Sequence, residues 1–163
     1  MILSKDELIG CLQKEVHILL HLSGKVEAGM VDYRPTEKQR STLELLQYLS
    51  MMGPELLKSI RDGAFDMEGW GKAEAAAKAL DLQGVKAALA GQMELYAALV
   101  GGMSDEELVG EVSLFESKVS RARHIIDFVV CGHAAYRTQL FCYLKACGRE
   151  ELGTMNLWAG VDG

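Results

Sequence analysis

Proline is nearly absent from this chain of 163 residues, which contains only two. Because a proline inside a helix removes a hydrogen bond and clashes with the preceding turn, its scarcity leaves room for long helices. Aromatic residues make up only 7% of the sequence, which argues against a β-sandwich or a β-barrel. The composition therefore predicts an all-α fold, and the length predicts that residues 1–163 form one domain.

The chain also lacks an excess of positive charge. Its 17 Lys and Arg residues against 23 Asp and Glu residues give a formal charge of −6. Such a surface repels polyanions, so we expect no nucleic acid partner. The densest basic group consists of Lys118, Arg121, Arg123 and His124. Because its members spread around a predicted helix, we interpret the group as a solvated face.

Export signals and long apolar runs are missing as well. The starting sequence MILSKDEL has neither the basic region nor the apolar core of a signal peptide. The most apolar stretch, at residues 125–130, is too short to span a bilayer. We therefore expect a cytoplasmic protein that makes no membrane contact.

The four cysteines show none of the spacings that bind zinc or haem, and they include no C-x-x-C pair. In a chain without an export signal, such residues are most simply buried, reduced thiols. The residues concerned are Cys11, Cys131, Cys142 and Cys147.

Helical periodicity and helix start signals are abundant. Apolar residues repeat at helical spacing over residues 5–27, 41–61, 82–100 and 117–146. Gly53 and Pro54 either kink or divide the second of these helices. Residues 70–80 form either a short extra helix or part of the next one. Capping boxes begin the first two segments, at Ser4 with Glu7 and Ser41 with Glu44, and a third box, Ser104 with Glu107, begins a short amphipathic turn through Leu108.

Four long helices predict a four-helix bundle. The link between the first two helices is short, which would make them antiparallel neighbours. The region between the second and third helices is long enough to return the chain to the other end of the bundle. This asymmetry favours an up-down-down-up order.

Several catalytic motifs are excluded by inspection. No histidine follows a glutamate at the third position, which excludes a ferritin-like di-iron site. The sequence has no phosphate-binding loop, no dinucleotide fingerprint and no nucleophile elbow. His17 and His21 lie on one face of the first helix and could share a metal with His133. We interpret the pair as ordinary boundary residues of the helix.

The strongest candidates for chemistry lie on the last helix, where His133, Tyr136 and Arg137 interrupt an aliphatic stripe. Polar side chains are costly to bury unless each finds a partner. One interpretation is a pocket in which the arginine or the imidazole binds an anionic or polar ligand. The other is a satisfied core network that fixes the helix register. His124, about half a turn out of phase with His133, is expected to face solvent.

The last helix also carries a recognisable pattern. Its sequence HAAYRTQL at residues 133–140, followed by Tyr143, Leu144 and Gly148, resembles the closing helix of the DinB-like superfamily. Shorter segments elsewhere resemble the same family, so that the similarity extends over nearly the whole chain. These segments are residues 20–22, 33–35, 45–49, 104–108 and 156–162.

The resemblance implies an up-down-down-up four-helix bundle that is often a homodimer. Characterised members of the family include thiol transferases and isomerases that act with bacillithiol or mycothiol. The resemblance further implies a divalent zinc or nickel ion, held by one histidine from helix two and a histidine pair from the last helix.

This chain departs from the family pattern at those metal positions. With Arg137 and Gln139 aligned on the family pattern, the two positions on the last helix fall on Gly132 and Tyr136, and the helix-two position falls on Gln47 or Tyr48. None of these is a histidine. We therefore expect a divergent member without the histidine triad and without a bound metal. The residues that would line the corresponding pocket are His21, Tyr48, His133, Tyr136 and Arg137.

Two functional hypotheses follow. The first is a metal-free, homodimeric DinB-like protein that binds a small polar molecule or serves in a stress response. The alternative is a metal- and thiol-dependent transferase or isomerase with a degenerate or rebuilt metal site. The sequence assigns no residue to a catalytic role, and it leaves open whether the protein is an enzyme.

Overall fold

The computed structural model describes residues 3–163, and most of them are helical. Met1 and Ile2, the start of the segment in which we found no signal peptide, lie outside the described residues. The helices are α1 (Lys5–Gly24), α2 (Thr42–Asp62), α3 (Met67–Lys78), α4 (Leu82–Gly101), α5 (Asp105–Val109), α6 (Arg121–His124), α7 (Cys131–Ala146) and α8 (Thr154–Trp158). A short hairpin of β1 (Glu111–Leu114) and β2 (Ser117–Ser120) lies between α5 and α6. The predicted all-α fold is confirmed, with this hairpin as a small addition.

A π-helical segment, Ile125–Val130, joins α6 to α7 with helical backbone angles throughout. Residues 121–146 therefore form one continuous helix, which we call the last helix. The interior between this helix, α1, α2 and α4 consists mainly of Leu, Ile, Val and Met side chains. None of the helices within residues 3–163 is both long enough and apolar enough to cross a membrane.

The arrangement around the bundle differs from the expectation that α1 and α2 are neighbours. Each of them packs against α4 and against the last helix, so that α1 and α2 lie across the bundle from each other. The link between them crosses the end of the last helix. There the Tyr33 ring packs edge-on against Tyr143 at 5.4 Å, and the Tyr143 hydroxyl donates to the carbonyl of Arg40 at 3.0 Å. The link is thus long enough to reach the opposite corner.

Contacts along α2 show its direction relative to the last helix. Tyr48 near the start of α2 packs against Tyr136, whereas the carbonyl of Arg61 near its end accepts a hydrogen bond from Arg121. The two helices therefore run antiparallel. This pairing accords with the predicted up-down-down-up order, which as a whole stays a prediction.

The helix starts agree closely with the sequence signals. All three capping boxes are formed, with each Ser side chain accepting from the backbone N–H of the glutamate three residues later. The helix predicted at residues 82–100 is α4. Residues 70–80 belong largely to α3, a separate helix, and α1 ends three residues before the predicted end.

Pro54 lies inside α2, which continues from Thr42 to Asp62 without division. Because proline has no N–H, the carbonyl of Ser50 four residues earlier loses its helical donor. The side-chain amide of Gln92 on α4 takes that place. It donates to the carbonyls of Leu49 and Ser50 at 2.9 and 3.0 Å. Gln92 therefore fixes the position of α4 along α2.

The hairpin was not predicted, and the last helix consequently begins at Arg121 rather than at residue 117. Leu114 pairs with Ser117 across a two-residue turn formed by Phe115 and Glu116. Both turn residues have left-handed backbone angles, with φ of 50° and 62°. Such turns usually contain Asn or Gly, and without either the sequence carries no hairpin signal.

His124 was expected to face solvent, and this prediction is wrong. The side chain is buried, its Nε2 lies 3.1 Å from the carbonyl of Val112 on β1, and its ring stacks on Phe128 at 5.5 Å. The wider π-helical turn changes the phase between His124 and His133, and the hairpin covers the ring. His124 is therefore not part of the solvated basic face that we predicted.

The expectation of buried cysteines is also wrong. All four thiols are free, and Cys11, Cys131 and Cys142 are exposed, whereas Cys147 is half-buried. All but Cys147 lie within helices, at positions facing away from the bundle interior, which the apolar side chains occupy.

The left-handed turn generates a testable prediction. Replacing Glu116 by glycine should raise the free energy of unfolding by about 0.5–1 kcal/mol, because glycine adopts positive φ without steric cost. Urea unfolding measures the change. The matched control, Glu116→Ala, removes the same side chain but keeps the strain and should give no gain. Equal stability of the two variants would contradict the prediction.

Candidate functional site

The five residues predicted to line one pocket lie at four separate places. Tyr48 and Tyr136 contact each other between α2 and α7, with ring centroids 5.2 Å apart. His133 lies in the core, Arg137 lies between α1 and α8, and His21 contacts the C-terminal segment.

His133 is fully buried, and its Nε2 lies 2.7 Å from the hydroxyl oxygen of Tyr96 on α4. A methyl group at Gly53 would overlap the Tyr96 hydroxyl and lie 2.5 Å from that Nε2. The glycine therefore gives the network the space it needs. Complete burial lowers the pKa of His133 to about 4, so that the imidazole is neutral at pH 7.

The hydrogen bonds determine which nitrogen of His133 carries the proton. Both N–H groups of the Gln92 amide are used on carbonyls of α2, so its Oε1 must accept from the Tyr96 hydroxyl, at 3.1 Å. The Tyr96 oxygen must then accept from His133, which places the proton on Nε2. Nδ1 has no hydrogen-bond partner in the described structure. These contacts support the interpretation of His133 as part of a core network.

Arg137 forms a buried ion pair with Glu15 on α1, at 2.5 Å between Nε and Oε2. A second nitrogen donates to the carbonyl of Leu157 on α8, and the Trp158 ring lies 5.9 Å from the guanidinium. The donors of Arg137 are thus engaged within the protein. They attach the C-terminal segment to α1 and α7.

His21 also belongs to that attachment. Its Nε2 accepts a hydrogen bond from Asn156 at 3.0 Å, and Asp162 bridges the same amide to Lys25. Burial and the nearby Lys25 lower the pKa of His21. His17 and His21 therefore face the C-terminal segment rather than His133, and the three histidines are not brought together.

Tyr136 occupies one position at which the family resemblance implies a metal ligand, and Gln47 or Tyr48 occupies the position on α2. At the remaining position, Gly132 faces Met52, whose Cε would lie 3.2 Å from a Cβ placed on the glycine. Burial raises the pKa of Tyr48 to about 12, which keeps its phenol protonated. Across residues 3–163 no three His, Cys, Asp or Glu side chains cluster in a way that could hold a metal ion. These residues do not fit zinc or nickel.

A cleft of about 510 Å³ opens beside Tyr48, between the α1–α2 link, α2 and α3. Of the five predicted residues, only Tyr48 lines it. The Arg40 guanidinium lies over the Tyr48 ring, 3.9 Å from its centroid. Arg40 was not predicted, because an exposed arginine in a link belongs to no periodic pattern that would indicate it. The lining residues are Arg34, Glu37, Lys38, Gln39, Arg40, Glu44, Gln47, Tyr48, Met51, Glu74, Ala77 and Lys78.

The pKa of His133 predicts a pH-dependent stability. An unfolded histidine binds a proton below about pH 6.5, whereas the folded protein resists protonation down to about pH 4. The contribution of His133 should be complete above pH 6.5 and should be lost as the pH falls from there to about 4. The expected loss is on the order of 3 kcal/mol.

Urea unfolding at several pH values in this window measures the effect. His133→Leu should remove this part of the pH dependence, whereas His17→Gln, at an exposed position, should keep it. An unchanged pH dependence in His133→Leu would contradict the assignment.

The burial of the Arg137–Glu15 pair predicts that breaking it lowers the free energy of unfolding much more than breaking an exposed ion pair does. Glu15→Gln leaves a buried guanidinium without its counter-charge and should cost about 3–5 kcal/mol of unfolding free energy. The control is Glu68→Gln, which breaks the exposed pair with Lys72 at 2.6 Å and should cost less than about 0.5 kcal/mol. Similar losses in the two variants would disprove the structural role of the buried pair.

Comparison with known proteins gives a fold relationship. No protein family matches this chain by sequence, and no curated protein matches it either. By structure, the chain matches YjoA, a DinB-like protein from Bacillus subtilis, whose solved structure superposes on it with a TM-score of 0.69. The match covers 91% of this chain and 96% of that chain at 17% sequence identity. The chain therefore has a DinB-like fold, as the sequence resemblance predicted.

Proposed function

We propose that this protein is a single-domain DinB-like bundle that binds a small polar molecule, without a resident metal, in the cleft beside Tyr48. The cleft carries this proposal. Its volume of about 510 Å³ falls in the range typical of small-molecule sites, and it combines a tyrosine ring with charged and amide side chains.

The metal-free part of the proposal rests on the side chains at the implied metal positions. The edge-to-face contact of Tyr48 with Tyr136, and the packing of Gly132 on Met52, occupy the space between α2 and the last helix. A three-histidine site would need nitrogen donors at these positions. The residues at these positions, Tyr136, Gly132 and either Gln47 or Tyr48, supply no imidazole nitrogen.

The proposal includes a homodimer located in the cytoplasm. Large apolar side chains that are exposed on the surface support the dimer. Met67 is 75% exposed and Trp158 is 62% exposed. Burying such side chains against a second copy would stabilise an association. Sedimentation velocity at two protein concentrations tests this part: a single monomeric species at both would contradict it.

Metal analysis and ligand titration test the main proposal together. The protein, purified without a histidine tag, should contain zinc and nickel well below one ion per chain. In ¹H–¹⁵N spectra, members of a library of small polar molecules should shift the amide signals of residues lining the cleft. Tyr48→Ala should weaken these shifts, and Trp158→Ala, at an exposed aromatic residue outside the cleft lining, serves as the control.

Two results would overturn the proposal. Stoichiometric zinc or nickel that is lost in His133→Ala would favour the alternative, a metal- and thiol-dependent transferase with a rebuilt site. If no library member shifts the cleft signals, the cleft is not the binding site.

A further inference from the structure

The lining of the cleft is locally positive, although the chain carries a formal charge of −6. Its four basic and three acidic side chains leave a formal charge of +1. Two of the basic residues are neutralised within the cleft: Arg34 pairs with Glu44 at 3.2 Å, and Lys78 pairs with Glu74 at 3.2 Å. A single negative charge on a ligand would therefore balance the lining.

Arg40 is the basic group best placed to bind that charge. In the described structure no carboxylate pairs with it, and its guanidinium stacks on the Tyr48 ring at 3.9 Å. Stacking covers one face of the guanidinium and leaves the N–H groups in its plane free to donate.

The surroundings hold Arg40 in place before any ligand binds. Its carbonyl accepts from the Tyr143 hydroxyl at 3.0 Å, which fixes the backbone. The Tyr48 ring beneath it packs edge-on against Tyr136 on one side and Trp70 on the other, with centroid distances of 5.2 and 6.3 Å. A group held in this way loses little conformational entropy on binding.

The rest of the cleft supplies an apolar surface and one fixed acceptor. Met51 and Ala77 are each 5% exposed and line the cleft next to the Tyr48 ring. Gln47 donates through its Nε2 to the carbonyls of Lys78 at 3.2 Å and Leu80 at 2.8 Å. Its amide orientation is thereby fixed, and the side-chain oxygen is left to accept from a ligand.

We propose that the cleft recognises a small organic monocarboxylate, with Arg40 binding the carboxylate and Met51 and Ala77 contacting an apolar body. An N–H or O–H group on the ligand would donate to Gln47. This inference rests on the proposed function and adds the ligand class. A doubly charged phosphate fits less well, because the lining carries only one excess positive charge and Glu37 has no ion-pair partner among the described residues.

The test uses amide chemical shifts of the full chain. The carboxylate probes are acetate, hexanoate, phenylacetate and mandelate, and mandelate adds to phenylacetate the O–H group that would donate to Gln47. Benzamide, benzyl alcohol and inorganic phosphate are the comparison compounds. We expect at least one carboxylate with an apolar body to bind with a Kd in the millimolar range. Benzamide, benzyl alcohol and phosphate should bind at least about tenfold more weakly.

Variants assign the interaction to Arg40. Arg40→Gln should weaken carboxylate binding at least about tenfold, because it removes the charge and the paired donors. Arg40→Lys keeps the charge but loses the planar stack and should give an intermediate loss. Arg123→Gln is the matched control, since its guanidinium pairs with Asp127 at 2.7 Å outside the cleft, and it should bind like the unmodified protein.

The outcomes separate this inference from the proposed function. If neutral compounds bind in the cleft as well as carboxylates do, or if Arg40→Gln binds unchanged, the monocarboxylate proposal is wrong and the cleft remains a binding site. If no carboxylate probe shifts the cleft signals, the ligand class is also wrong. Only the failure of the wider polar library to shift those signals would overturn the proposed function itself.

Discussion

The amide of Gln92 on the two α2 carbonyls is the contact on which the arrangement of the bundle depends. Pro54 leaves α2 short of one donor, and Gln92 supplies it from α4. The remaining oxygen of the same amide directs the Tyr96 hydroxyl, which in turn orients His133 on the last helix. One missing N–H is thus compensated by a chain of side chains that connects three helices in a fixed register.

That register explains why the centre of this DinB-like bundle differs from the one the family resemblance implies. With α2 and the last helix held at this height, Tyr48 lies against Tyr136, and Gly132 lies against Met52. The interior there is apolar and closely packed. The charged side chains near Tyr48 lie further out, in the cleft beside Arg40, between the α1–α2 link and α3.

Local signals in the sequence predicted the helices well, whereas features that depend on contacts between distant residues were not predicted. Capping boxes and apolar spacing depend on a few neighbouring residues, whereas the turn at Phe115 and Glu116 adopts left-handed angles that its residue types do not favour. The residues predicted to line one pocket also proved to lie apart, because their contacts are with residues distant in the sequence. His133 and Arg137 share one face of α7, but they contact different helices, Tyr96 on α4 and Glu15 on α1. Periodicity predicts which face of a helix a residue lies on, but it does not predict which residue of another helix that side chain contacts.

The two tryptophans of the chain lie in two different regions, one beside the cleft and one on the C-terminal segment. Trp70 packs at 6.3 Å from Tyr48 beside the cleft, half-buried, whereas Trp158 is 62% exposed on the C-terminal segment near Arg137. Their indoles differ in polarity of environment and in access to a dissolved quencher. Tryptophan fluorescence can therefore report on the cleft through Trp70 and on the C-terminal attachment through Trp158, without any label added to the protein.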